Sequence, residues 1–336
     1  APLVSDGQTT ESTEEAQEEK DPLIPEIDTS VEIQAGSRVA VVSKSTSGEF
    51  WGLVKKGMEQ AIADVNEAYG FKKEDQVTMT FEGASDEKDV ESQVNTIDAV
   101  IAENPDVLCV SASDMDSLQA QLEAAKENGI PVVAFDSGVT DSKMVRAFRG
   151  TDNTRVGEIA AYRLATAIGK MGKVAVFSAQ EKTQSIQERV SGFTNYITNY
   201  PDIEVVEIVY QDQVDDMTAA MQEVLDKYPQ LDGVFCDNAD IADLYLDMKK
   251  DETKDSIVMV GVDATAKQQE AIRNGKEVGV VSQQPYAMGY QTIWTALLTT
   301  APKKSVEIKR NVRIDPAWID SSNIDDPTYS SYLYAN

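Results

Sequence analysis

Ile130-Pro131-Val132-Val133-Ala134-Phe135-Asp136-Ser137-Gly138 is the stretch on which the fold turns. Pro131 to Phe135 is a short apolar run without alternation, so it reads as a strand buried on both faces. Strands of that kind belong to parallel sheets covered by helices. The run stops at a carboxylate and a polar turn. It starts just after a helical pattern, Leu118 to Asn128, that Gly129 closes.

The same rhythm extends in both directions. Upstream, Val39–Val42, Val77–Phe81 and Val107–Val110 read as strands, and Phe50–Tyr69 and Val90–Ala102 as helices. Downstream the pattern starts again with a helix over Thr154–Ile168. Strands follow at Val174–Phe177, Val205–Val209, Gly233–Cys236, Ile257–Val262 and Val278–Val281. Between and after them, helices are expected over Ser185–Asn199, Met217–Tyr228, Ala239–Lys249, Ala266–Asn274 and Tyr286–Leu298. Such alternation indicates βαβ units. More than eight strands disfavour a single (β/α)8 barrel, and 336 residues suit two α/β domains of about 150 each.

In doubly wound sheets the ligand crevice lies outside the carboxyl ends of the strands. Here those loops are Ser43–Trp51, Ser111–Asp116 and Asp136-Ser137-Gly138, then Ser178–Thr183, Asp237-Asn238, Asp263 and Gln283-Gln284. They are rich in Ser, Asp, Asn and Gln, they carry adjacent Phe50 and Trp51, and they almost lack cations. Carboxylates accept from hydroxyls, amides do both, and an aromatic face suits the C–H face of a ring. A neutral polyhydroxyl ligand fits that set.

Composition removes other classes. The chain carries 58 Asp and Glu against 30 Lys and Arg, a net charge of −28, so nucleic acid and anionic lipid would be repelled. It contains no histidine, which removes Ser-His-Asp and Cys-His catalysis and histidine metal sites. No two glycines are separated by a single residue, so the dinucleotide fingerprint is absent, and there is no P-loop. Asp114-Met115-Asp116 and Asp237-Asn238-Ala239-Asp240 lack the glycine and distal glutamate of a calcium loop. No metal and no cofactor is expected. Cys109 and Cys236 lie in apolar runs and read as buried free thiols.

Seven segments in order resemble the ribose-binding family of bacterial periplasmic binding proteins. They are Val39–Trp51, Ile130–Asp136, Gly150–Asn153, Gln187–Phe193, Gly233–Asn238, Val260–Asp263 and Val281–Pro285. The resemblance runs from about Ser37 to Leu333. It implies the type I periplasmic binding protein fold: two doubly wound parallel-sheet lobes joined by three crossing strands, closing on a sugar. Carried over position by position, Phe50 and Trp51 would form the aromatic wall, and Asp136, followed by Ser137, would take two ring hydroxyls. Arg189 would donate to ring or hydroxyl oxygens. Asn238 and Asp263 would bind from the second lobe, and Gln283 near a crossing strand. Each also has a structural role open to it: the aromatics as core, Asn238 as an N-cap, Arg189 as a surface ion-pair partner. Asp152 and Asn153 read as structural residues at a crossing.

Departures from the ribose binders leave the ligand open. Gly48-Glu49 stand where they commonly carry Asn-Pro, and Ser137 and Gln187 stand where they carry arginines. Losing two guanidinium groups removes several donors.

The implied lobes are residues 36–150 with about 284–312, and 151–283 with about 313–336. Residues 1–35 hold ten acidic residues, one lysine, Pro22 and Pro25, and read as a disordered acidic tether. The resemblance implies a monomeric extracytoplasmic solute-binding protein, not an enzyme, that delivers a monosaccharide or polyol to the membrane permease of an ABC importer. It also implies lipid anchoring of the Gram-positive type through a cysteine ahead of the tether, or otherwise a periplasmic location. Two alternatives stay open: a ligand-presenting sensor for a chemotaxis or signalling receptor, and a binder of a non-sugar metabolite such as a nucleoside.

Overall fold

The computed structural model of the chain describes residues 20–252, 255–302 and 304–334. The first round of elements is β1 (Arg38–Val42), α1 (Glu49–Tyr69), β2 (Thr78–Glu82), α2 (Val90–Ala102), β3 (Val107–Val110), α3 (Gln119–Glu127), β4 (Val132–Phe135) and β5 (Ala147–Thr151). The second is α4 (Asn153–Ala167), β6 (Gly172–Ser178), α5 (Gln184–Ile197), β7 (Ile203–Tyr210), α6 (Met217–Lys227), β8 (Gly233–Cys236), α7 (Ala239–Met248), β9 (Val258–Val262), α8 (Ala266–Arg273) and β10 (Gly279–Ser282). Then come α9 (Pro285–Leu298), β11 (Asn311–Ile314) and β12 (Ala317–Asp320).

Two six-stranded sheets result, ordered β11-β5-β4-β3-β1-β2 and β12-β10-β9-β8-β6-β7. All pairings are parallel except β10 with β12. Within each sheet the order repeats the doubly wound 2-1-3-4-5 pattern, whose crevice opens beside the first strand. The first round therefore maps onto the second: β1 onto β6, β3 onto β8, β4 onto β9.

Three segments cross between the sheets. Helix α4 follows β5 yet packs on β8, β9 and β10; α9 follows β10 yet packs on β3, β4 and β5. The third crossing is Asp315-Pro316, between β11 and β12. It lies a few residues beyond the boundary near 312 that the sequence suggested. Strands β5, β11 and β12 were not anticipated. Arg149 interrupts the apolar run in β5. β11 and β12 are edge strands with polar residues on their open sides, so they lack the signature of a buried parallel strand.

Strand residues such as Val41, Cys109, Val133, Val176, Phe235 and Val260 are fully buried. Cys109 and Cys236 are both buried and free, one in each sheet, and burial pushes both thiols up. Helices α4 and α5 approach backbone to backbone. A Cβ on Gly157 would stand 2.1 Å from the Arg189 carbonyl oxygen, and one on Gly192 2.3 Å from that of Thr154. Only glycine permits this contact, and it fixes the height at which Arg189 leaves α5.

The tether expectation is corrected for residues 20–35; residues 1–19 lie outside those described. Ile33 is buried in the first-lobe core, and Leu23, Ile24, Ile27 and Val31 pack against it. Tyr69 Oη donates to the Val31 carbonyl at 2.6 Å and Gln291 Nε2 to that of Leu23 at 2.7 Å. The two prolines do prevent a helix here. What composition concealed is that five apolar residues among the acids are enough to fasten an irregular strap. Among the described residues no helix is long and apolar enough to cross a membrane.

Candidate functional site: a cavity between the lobes

The carboxyl ends of β1 and β4 face those of β8 and β9 across a cavity of about 160 Å³. A cavity of about 150 Å³ accommodates one six-membered ring. Phe50, Trp51, Asp136, Arg189, Asn238, Asp263 and Gln283 all line it.

Asp136 follows β4 and Asp263 follows β9, the matching strand of the other lobe. Both adopt a left-handed backbone, with φ of 62° and 78°. Such angles are uncommon outside glycine and cost about 1 kcal/mol or more. Each is locked by its own N–H, which donates to Arg149 O at 2.9 Å and to Val281 O at 3.0 Å respectively. The bend carries each carboxylate from the end of its strand to the cavity wall.

The two carboxylates are held differently. Asp136 Oδ2 accepts from Ser111 Oγ at 2.6 Å and Ser137 Oγ at 3.2 Å, and Lys44 Nζ lies 3.0 Å away. Lys44 is buried. Burial alone would lower its ammonium, but Asp136 and Glu87 outweigh burial and Arg189 and hold it above its ordinary value. With all these partners on Oδ2, Oδ1 of Asp136 accepts from no protein donor among the described residues. Asp263 is fully engaged: Oδ1 accepts from Gln283 Nε2 and Tyr334 Oη, both at 2.7 Å, and Oδ2 from Ala239 N at 2.9 Å.

The donors come mostly from the second lobe. Arg189 is buried; its Nε donates to Asn153 Oδ1 at 3.0 Å and Nη1 to Asp237 O at 2.9 Å. This is no surface ion pair: the guanidinium is clamped on one side, and Nη2 has no protein acceptor among the described residues. Asn238 is the N-cap of α7, its Oδ1 accepting from Ile241 N at 2.9 Å. Capping uses the oxygen only, and Nδ2 is left without a protein partner among the described residues. Gln283 Oε1 accepts from Thr151 Oγ1 at 2.7 Å, tying one crossing segment to another. Asp152 caps α4 and Asn153 holds Arg189, the structural roles expected of them.

Phe50 and Trp51 stand edge to face with centroids 4.9 Å apart, so both are core and wall at once. Tyr334 backs Phe50 at 6.1 Å. Ser137 does not line the cavity. It lies behind Asp136, where its Oγ is 3.1 Å from Lys44 Nζ and 2.7 Å from Ser185 Oγ of the other lobe.

Sequence reasoning missed Lys44, Glu49, Glu87, Asp240, Asp243 and Thr265, which also line the cavity. Glu87 Oε1 accepts from Trp51 Nε1 at 2.8 Å. Asp243 accepts from Thr265 Oγ1 at 2.8 Å, and burial pushes its carboxyl up to about 6. Asp240 sits at the mouth. Desolvation there, then the charges of Glu87, Asp263, Asp243 and Asp86, push it up to about 7. Among the described residues, no group of acidic or cysteine side chains is arranged to hold a metal ion.

The lobes touch around the cavity. Thr183 Oγ1 donates to Ser113 O at 2.5 Å, Met115 N to Lys182 O at 2.8 Å, and Ala266 N to Glu49 Oε2 at 2.9 Å. Side chains from both lobes thus enclose the space.

Comparison with known proteins agrees with this architecture. The ribose import binding protein of Bacillus subtilis is 27% identical over 203 residues, 60% of this chain and 66% of that protein. A xylitol-binding protein of Mycolicibacterium smegmatis is 24% identical, the alignment covering 58% and 56%. The chain thus spans about two-thirds or less of these curated relatives. Solved structures align more fully. A solute-binding protein of an ABC transporter from Agrobacterium vitis, with bound D-fucose, superposes with a TM-score of 0.80 at 28% identity, covering 89% of this chain and all of that one. A carbohydrate transporter solute-binding protein from Agrobacterium radiobacter, in complex with D-arabinose, gives 0.78 at 28% identity, covering 88% and 98%. Residues 39–301 match the family described as the periplasmic binding protein domain, and with both lobes and the cavity between them in place, the chain belongs to that family.

Proposed function

We propose that this protein is an extracytoplasmic solute-binding protein that captures one monosaccharide or sugar-like polyol between its lobes and hands it to the permease of an ABC importer. The observation that carries this reading is the ring-sized cavity walled by Phe50 and Trp51. Asp136, Arg189 and Asn238 line it, and each keeps one polar atom, Oδ1, Nη2 and Nδ2 respectively, without a protein partner among the described residues. A polyhydroxyl ring supplies both the donors and the acceptors that these groups lack. The bound sugars of the Agrobacterium structures and the ribose and xylitol named for the relatives are ligands of this size. A nucleoside, with a base added to its sugar, exceeds about 160 Å³.

Capture works by differential affinity. The sugar contacts both lobes only when they are closed, so binding shifts an open–closed equilibrium. The permease then distinguishes the closed, loaded form. No catalytic step is assigned; the protein acts as a monomer, and its net charge of −28 keeps it from nucleic acid. Lipid anchoring on the outer face of the cytoplasmic membrane belongs to the same proposal.

A thermal-shift panel tests it: D-ribose, D-arabinose, D-fucose, D-allose, hexoses and hexosamines, xylitol and inositols, with adenosine and amino acids beside them. A ligand at 100 times its Kd stabilises by about 2.7 kcal/mol. A shift from a sugar or polyol is expected. A shift from adenosine or an amino acid alone, with none from any carbohydrate, would overturn the substrate class.

A further inference from the structure

Two consecutive residues of α5 grip the turn that follows β4. Gln184 Oε1 accepts from Gly138 N at 2.6 Å, and Ser185 Oγ lies 2.7 Å from Ser137 Oγ. Helix α5 is built into the second lobe through Ile186, Val190 and Phe193, whereas Phe135 and the turn after it belong to the first, so both contacts join the lobes. Four residues beyond Ser185, one helical turn along the same face, Arg189 lines the cavity. One helix thus touches the turn that bears Asp136 and also carries the guanidinium opposite.

The contact at Ser185 has a direction. The Ser137 hydroxyl has one proton to give and two lone pairs. Lys44 Nζ, which can only donate, stands 3.1 Å from it, and the Asp136 carboxylate, through Oδ2, 3.2 Å. A proton given to Asp136 leaves Ser137 to accept from Lys44 and from Ser185, and every position is then filled. The opposite direction would leave Ser137 nothing to give Asp136. The chain therefore runs from Ser185 to Ser137 to Asp136, out of one lobe and into the other. Lys44, Asp136, Ser137 and Ser185 are all buried, where linked hydrogen bonds are strongest. Neither serine lines the cavity.

Resting on the monosaccharide reading above, we infer that Ser185 is a positioning residue for the sugar. Without touching it, Ser185 acts through Ser137 to fix the direction of the Asp136 carboxylate and its separation from Arg189. The sugar is held by both groups, so loosening their spacing speeds its release.

The test compares wild type, Ser185→Ala, Ser137→Ala and the double variant. The probe is whichever of D-ribose, D-arabinose, D-fucose, D-allose and xylitol stabilises wild type most in the thermal panel. Affinity is read by titration calorimetry, and both rates by stopped-flow fluorescence of Trp51 in the cavity wall. Ser185→Ala takes away a donor and leaves no buried donor unpaired, so the melting temperature without sugar is expected to hold. Release of the sugar is expected to quicken about fivefold or more, with association changed less than about twofold. The double variant is expected to lose no more affinity than Ser137→Ala alone, because Ser185 acts through Ser137. Wild-type affinity and release in Ser185→Ala would overturn the inference and leave the sugar-capture reading intact. Losses that add in the double variant, or a loss carried by slower association and a lower melting temperature, would make Ser185 a residue of general stability and overturn it too. Binding of none of the five probes to wild type, with silence from every other carbohydrate in the panel, would overturn both.

Discussion

At the scale of single residues, the site depends on groups whose state is set by their neighbours. Asp237, at the end of β8, is fully buried; its Oδ2 accepts from Ser178 Oγ and its Oδ1 from Ala179 N. Burial outweighs these bonds and the Arg189 charge, and pushes the carboxyl up to about 7 from 3.8. The folded state therefore keeps a proton that the unfolded chain loses near pH 4. Between about pH 4 and 7 the folded form binds more protons, so this group's contribution to stability falls as pH rises. In urea unfolding, the stability of wild type relative to Asp237→Asn is expected to drop by roughly 2–4 kcal/mol between pH 4.5 and 7.5. A constant difference across that window would show that Asp237 is already ionised. Much of the cavity wall was legible residue by residue, because an acid or amide directly after an apolar strand has few other places to go. Lys44 was not legible. Its burial depends on Asp136, a partner 92 positions away in sequence, and no local pattern announces such a pair. Glu87, on a loop, and Asp240, in the first turn of α7, were equally hidden, since they line one cavity only once both lobes are in place.

At the scale of elements, the alternating pattern revealed the helices and central strands because both-face burial leaves unbroken apolar runs. It failed at β5, β11 and β12, where one side or one residue is polar, and at residues 20–35, where the apolar anchors are interspersed with as many charges. Two elements invite direct tests. Gly157→Ala places a methyl against the Arg189 carbonyl, forcing α4 and α5 apart. Overpacking of that kind costs about 1–3 kcal/mol. Because it displaces the helix bearing Arg189, sugar affinity is expected to fall along with the melting temperature; unchanged affinity would mean that Arg189 does not depend on this packing. Deleting residues 1–35 removes Ile33 and the strap that covers Tyr69 and Gln291. Burying one Ile is worth about 1.5–3 kcal/mol, so a loss of at least that size is expected in denaturant unfolding. The strap touches the end of α1 far from Phe50, so sugar affinity is expected to stay unchanged. A variant as stable as the full chain would contradict the docking of residues 20–35.

At the scale of the whole molecule, duplication is what makes capture work. Two sheets with the same strand order present matching turns, and each turn ends in an aspartate bent into left-handed backbone. One, Asp136, keeps an oxygen free for a ligand; the other, Asp263, ties Gln283, Tyr334 and Ala239 together on the opposite wall. The three crossings join the lobes, and contacts such as Thr183 with Ser113 bridge them across the cavity. On the proposed reading, this division of labour makes Asp136 the group on which affinity should rest. The decisive measurement is titration calorimetry of wild type and Asp136→Ala with the panel sugar that stabilises the protein most. The account predicts one site per chain for wild type and a loss of roughly 2–4 kcal/mol, about 30- to 1000-fold, for the variant, because a charge-assisted acceptor is removed from buried hydroxyls. Equal affinity of the two proteins for that sugar would contradict it, and would place the sugar outside the cavity between the lobes.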